Sequence, residues 1–183
     1  MNLSELITSR RTVHNYSSEK VSEAVVEEAM RLSLWAPNHR LTYPWAYFCA
    51  GAATRIKLAD LAVELKGAKE PLSEVKKTAM RDNILKPSHL ILLALKRGDP
   101  KHEHEDYATL ACGVQIASLF LWEKGIGSKW STGGYFIGPR TYDVLGISPE
   151  EFRLEGALLV GVPLTPAPAP PRPALEGILR KLT

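Results

Sequence analysis

Six consecutive residues, Leu90-Ile91-Leu92-Leu93-Ala94-Leu95, constrain the fold of this chain more than any other segment. A run this short reads as a strand, and it is apolar on both alternating faces, so it has to be covered from both sides. A sheet with helices on each face satisfies that demand. Downstream, Tyr107 to Trp122 is apolar almost all round, which predicts a central helix buried on every side. The longest apolar stretches are broken by Gln115, Glu123 and Lys124, so no segment has the length to span a bilayer.

The remaining elements fall around this pair. Leu3, Leu6 and Ile7 sit at helical spacing and give a short first helix ending near Arg10. Ser22 is placed to cap a second helix with Val25, Ala29, Leu32 and Ala36 along one face, and Pro37 stops it. Trp45 to Ala50 reads as a strand, Leu58, Leu61, Ala62 and Leu65 mark a third helix, and a weaker helical pattern covers Leu72 to Asp82. A polar loop from Lys96 to Glu105 leads into the central helix. Gly125 and Gly127 end that helix and admit a strand at Ser128 to Thr132. Pro139 opens a short helix ending near Gly146, and Leu154 to Val162 makes the last strand. The loose alternation of helix and strand is that of an α+β or α/β protein.

From Val162 onward the pattern changes. Six prolines between Pro163 and Pro173 exclude helix and central strand, so this part should run as an extended arm, with Leu175 to Leu182 as a short terminal helix. The organisation is one domain over residues 1–183, with a proline-rich C-terminal arm over 162–183.

At 183 residues, 45% hydrophobic and 23% charged, the chain is long enough for one domain with a sizeable core. A net charge of +3, with its basic residues dispersed, argues against nucleic acid but leaves a small anionic ligand open. No basic start followed by an apolar stretch suggests a signal peptide, and Cys49 and Cys112 each lie in an apolar segment. The expectation is two buried, reduced thiols and a cytoplasmic protein.

Four segments carry groups that could do chemistry. Arg10, Arg11 and Thr12 close the first helix, and two guanidinium groups beside a hydroxyl form a compact anion grip. The plainer alternative is a solvated helix end whose arginines oppose the helix dipole. Trp35, Asn38 and His39 flank a proline-stopped helix end, where side chains and backbone donors can converge on a ligand. Gly125 to Thr132 suggests a phosphate loop but lacks the Gly-Lys-Ser/Thr ending, and it leads into a strand where a dinucleotide fold needs a helix. His102-Glu103-His104-Glu105-Asp106 alternates like a metal site, yet no partner ligands are evident, so a solvated turn and helix cap is the better reading. No nucleophile triad can be assembled.

Taken in order, Ser9-Arg10-Arg11-Thr12-Val13-His14-Asn15-Tyr16, then Ala36-Pro37-Asn38-His39 with Pro44-Trp45, then Gly125-Ile126-Gly127-Ser128-Lys129-Trp130-Ser131-Thr132 resemble the FMN-dependent nitroreductase family, in particular its short members. The resemblance implies an α+β fold with a central mixed sheet of about four to five strands packed between helices. It implies an NAD(P)H-dependent oxidoreductase that binds FMN at the interface of a homodimer and reduces small electron-poor acceptors such as nitroaromatics and quinones. Carried onto this chain, it assigns the FMN phosphate and ribityl region to Arg10, Arg11 and Thr12, with His14 a marginal member and Arg172 of the arm a third clamp. It assigns flavin-lining roles to Trp35, His39, Trp130, Ser131 and Thr132. Phe120, Leu121, Trp122, Glu123, Lys124 and Gly125 would lie near the NADH or NADPH donor. It implies no metal, and no catalytic nucleophile or base.

Overall fold

The structure is a computed structural model that describes residues 1–165 and 168–182. Pro166, one of the six arm prolines, Ala167 and Thr183 lie outside the described residues. The elements in chain order are α1 (Leu3–Ser9), α2 (Glu23–Ser33), β1 (Trp45–Cys49), α3 (Ala52–Gly67), α4 (Glu74–Leu85), β2 (His89–Lys96), α5 (Glu103–Glu123), β3 (Gly127–Ser131), α6 (Gly134–Ile137), α7 (Pro139–Leu145) and β4 (Phe152–Gly161).

The described strands form one sheet in the order β1-β2-β4-β3, and β2 is one of its two central strands. Its side chains divide between the two faces as the apolar run requires. Leu90, Leu92 and Ala94 join Ala157 and Leu159 of β4 under α3, α4 and α6, through Leu58, Ala59, Ala62, Ile84 and Phe136. Ile91, Leu93 and Leu95 join Leu158 and Val160 under α2 and α5, through Val26, Ala29, Leu110, Val114, Ala117 and Leu121. Each such aliphatic side chain stabilises by about 1.5–3 kcal/mol when fully buried, so the doubly covered strand is the centre of the fold.

All three strand pairings are antiparallel. The parallel component expected of a mixed sheet is reduced to one bridge between Thr12 and Ser128, which lays the Arg10–Tyr16 segment along β3. Gly127 makes that approach possible: a Cβ there would meet Val13 Cγ2 at 2.3 Å. The β2–β4 register shifts at Leu93/Ala94, leaving Glu155 unpaired as a bulge. The indole Nε1 of Trp130 donates to the freed Glu155 carbonyl at 3.0 Å, and Gly156, at φ 124°, lies where a Cβ would meet that same Nε1 at 2.8 Å.

Four expectations change. The exterior of α5 is not covered on every side: Ala108, Cys112 and Gln115 are exposed along one stripe, because the sheet and α2 reach only the opposite side of the helix. Cys49 and Cys112 are both exposed, on the edge strand and on that stripe. In place of a terminal helix there is a single 3₁₀ turn over Leu175–Gly177, since Leu175, Ile178 and Leu179 find no apolar surface to cover them. The arm is also not detached at its start. Ser17 N donates to Val162 O at 2.9 Å and Leu164 N to Asn15 O at 3.0 Å, so residues 162–164 pair with their own chain before the prolines take over.

Candidate functional site

The site residues gather at the two ends of α5. At its C-terminal end, Trp122 Nε1 donates to Ser9 Oγ at 3.1 Å and fixes the end of α1 against the helix. The two arginines that follow are used differently. Arg11 donates to Thr8 O and Arg10 O at 2.7 and 2.8 Å, so its guanidinium is spent on the orphan carbonyls at the end of α1. The Arg10 guanidinium has no hydrogen-bond or ion-pair partner among the described residues. Burial above all, then the charges of Arg11 and Arg172, push its pKa below the ordinary arginine value. Arg172 of the arm thus comes close enough to Arg10 to repel it. Three like charges lie near one another here, the Arg11 guanidinium being turned to the carbonyls at the end of α1.

Beyond Thr12 the segment borders a polar cavity of about 280 Å³, lined by His14, Asn15, Tyr16, Asp82, Asn83, Lys86 and Leu164. Asn83 and Lys86 come from the last turn of α4 and were not singled out in the sequence. Their spacing of three residues on a weakly patterned helix is the only signal that could have raised them. Arg55 holds this turn in place: its guanidinium donates to the carbonyls of Ile84, Leu85, Pro87 and Ser88 and so caps the C-terminus of α4. Tyr16 is anchored by donation to Val13 O at 3.0 Å and its phenol pKa is raised by burial.

The N-terminal end of α5 carries the second group. After α2 the chain makes a 3₁₀ turn over His39–Leu41, and Arg40 and Leu41 within it and Tyr43 just beyond it adopt positive φ (57°, 51° and 47°) without a glycine. Each such residue costs about 1–2 kcal/mol. Asn38 closes the turn, accepting from Tyr43 N at 2.9 Å and donating to Thr42 Oγ1 at 2.9 Å; Thr42 in turn donates to buried Asp106 at 2.5 Å. Thr109 Oγ1 donates to Pro37 O at 2.9 Å. Asp106 is therefore an anchor for this turn, and His102 lies 3.5 Å from Glu105 in a partly exposed turn. The turn displays Trp35, His39, Leu41 and Tyr43 to solvent, with Trp35 81% exposed.

The third block spans the distance between these ends. Trp130 faces Tyr107 near the start of α5, at 6.2 Å between ring centroids. Ser131 is half-buried and Thr132 exposed just beyond it. Phe120 carries Lys124 over its ring at 5.5 Å, Glu123 and Gly125 are exposed beside it, and Leu121 is fully buried in the core with no surface to offer a ligand. From Asp106 to Trp122 the helix rises about 24 Å. The structure brings Arg10, Arg11 and Arg172 near one another and sets Trp130 against Tyr107, while Trp35 and His39 stand exposed at the other end of α5.

A model of the Nitroreductase family matches residues 7–162, and the chain belongs to that family. The protein of Bacillus subtilis named "Putative NAD(P)H nitroreductase YfhC" is 26% identical over 164 residues, covering 88% of this chain and 84% of its own length. Among solved structures, a nitroreductase-like family protein from Bacillus cereus superposes with a TM-score of 0.86 at 23% identity, covering 100% of this chain and 96% of the other. The FMN-dependent nitroreductase NfnB from Mycobacterium smegmatis, solved in complex with NADPH, gives 0.79 at 18% identity and covers 98% and 97%. The fold is nitroreductase-like, α+β, with the antiparallel sheet described above.

Proposed function

We propose that the protein is an FMN-dependent oxidoreductase that takes reducing equivalents from NADH or NADPH and passes them to small electron-poor acceptors, nitroaromatics and quinones among them. Family membership sets the class, and the observation that carries the cofactor reading is the Arg10 guanidinium, unpaired among the described residues and close to Arg11 and Arg172, on the segment that runs on through His14, Asn15 and Tyr16 into a cavity. The donor set fits a flavin mononucleotide. The cations match a terminal phosphate, and the hydrogen-bonding groups of His14, Asn15 and Asn83 match a polyol chain, with Lys86 held by Asp82 at 2.9 Å beside them. When bound, FMN supplies the electron chemistry itself, so no side chain has to act as nucleophile or base. The chain's part is to hold the phosphate, shield the ring and leave one face open. Donor and acceptor would visit that face in turn, giving ping-pong kinetics.

The site is completed by a second copy. A two-fold axis across the exposed Ala108, Cys112 and Gln115 stripe would set two α5 helices antiparallel, bringing the arginine end of one protomer to the Trp35–Tyr43 turn of its partner. That arrangement supports a homodimer with two sites, each made of both chains, and gives the exposed Trp35, Leu41 and Tyr43 a partner. The arm past residue 168 would extend this contact with Leu175, Ile178 and Leu179.

Purified protein should be yellow, sediment as a dimer, release FMN on denaturation, and be bleached by NADH or NADPH then reoxidised by a quinone. Colourless protein that stays so after incubation with FMN overturns the reading. Bleaching without reoxidation by any acceptor reduces it to a flavin carrier.

A further inference from the structure

The wall that α4 gives to the polar cavity stops where the helix stops. Ala79, Asp82, Asn83 and Lys86 line the cavity, and their spacing puts them on one stripe of the helix. The last carbonyls of any helix lack a partner within it. Here they are met from outside by Arg55 of α3. Its Nη2 donates to Ile84 O at 2.8 Å, to Leu85 O at 2.7 Å and to Pro87 O. Its Nε donates to Ile84 O and its Nη1 to Ser88 O, both at 3.2 Å.

We propose that Arg55 is a positioning residue of the flavin site: by fixing the last turn of α4 it aims Asn83 into the polar cavity. The inference rests on the flavin reading above and names a residue outside the cavity on which that site depends.

The placement of the charge is the first support. Arg55 lies in the first turn of α3, the positive end of its own helix, where a cation is unfavourable. No carboxylate partners it among the described residues, and burial pushes its pKa below the ordinary arginine value. The favourable contacts of this guanidinium are all with the end of α4, so holding that end is its role. The second support is how the rest of the turn is held. Ser88 Oγ accepts from Val21 N at 2.9 Å, and His89 Nε2 is hydrogen-bonded to Val21 O at 2.8 Å. Those contacts fix the start of β2 and leave residues 84–87 to Arg55. Asn83 itself is exposed, and its side-chain amide has no partner among the described residues. Only the backbone of the last turn sets where it points.

Fluorescence titration of the flavin-free protein with FMN, on wild type, Arg55→Lys, Asn83→Ala and the double variant, closes a double-mutant cycle. Lysine keeps the charge but not the planar fork that reaches four carbonyls. Asn83→Ala removes one neutral hydrogen bond and should weaken FMN roughly fivefold. Arg55→Lys should cost about as much, and the double variant should bind no worse than the weaker single, because both changes remove one contact. An arginine that merely stabilises the fold gives losses that multiply, about twenty-fivefold in the double variant, and that result overturns the proposal. Wild-type affinity in Arg55→Lys or in Asn83→Ala overturns it too. Should Arg55→Lys not fold, Arg55→Gln, whose amide still donates to the carbonyls, carries the same cycle. Wild-type protein that takes up no FMN overturns the flavin reading and this inference together, whereas uptake with multiplied losses overturns this inference alone.

Discussion

The two ends of α5 solve opposite problems. The C-terminal end is overcharged: Arg10 is half-buried beside two like charges and has nothing of opposite sign to meet. The N-terminal end is apolar and strained, with three left-handed residues held by the Asn38–Thr42–Asp106 chain and large side chains left in water. Each end leaves groups without a partner in the described chain, a cation at one and large apolar side chains at the other. The comparison teaches that the two ends ask for different partners, so the proposed site would need both an anionic ligand and a second chain.

The largest effect should come from breaking the charged end. Arg10→Ala removes a charge-assisted phosphate contact worth about 1.5–3 kcal/mol and should weaken FMN roughly ten- to a hundredfold in titration. The flavin-free variant should melt no lower than the wild type, because the replaced charge was desolvated and repelled. Thr12→Ala, losing a neutral bond of about 1 kcal/mol, should cost less. Equal FMN affinity in Arg10→Ala and wild type would move the phosphate grip elsewhere and dissolve the contrast.

A smaller effect should follow at the strained end. Asn38→Ala removes two hydrogen bonds of about 1 kcal/mol each, letting the turn relax, and should weaken dimerisation and FMN binding together in sedimentation and titration. Leu41→Gly acts oppositely on the fold. It relieves about 1–2 kcal/mol of left-handed strain against about 0.5–1 kcal/mol of added chain entropy, so the melting temperature should rise slightly. A fall would show that the turn is not strained.

The smallest effect is set by pH, away from both ends. Hydrogen bonds from Lys76 and Lys66 hold the Glu70 carboxyl at about 2, below its ordinary 4.5. A carboxyl depressed on folding stabilises above its unfolded pKa and loses that contribution as pH falls from about 4.5 towards 2. The side chain is well open to solvent, so screening should make the slope shallow; Glu70→Gln should flatten it in acid denaturation, and an identical profile in both proteins would show the pairing to be idle.

Much of the scaffold was legible because periodicity is local. The doubly apolar β2 announced its two helical layers, and Pro139 and Gly146 bracket α7 within a residue of their expected roles. The four-residue α6 was not legible, because Gly134-Tyr135-Phe136-Ile137 is barely one helical turn and leaves no repeat to read. Nor was Arg55, whose carbonyl partners lie about thirty residues away.

By itself, then, the sequence determined most of the helices and strands before residue 162, the doubly covered centre of the sheet, and the adjacency of Arg10 and Arg11, since all three rest on neighbouring residues. Only the tertiary structure decided that Arg11 is spent on α1 while the Arg10 guanidinium is not, that Arg172 joins it from 162 residues away, and that one helix holds the two halves of the candidate site about 24 Å apart. Those facts depend on which carbonyls and charges the packing brings within a few ångströms, and no local pattern carries that information.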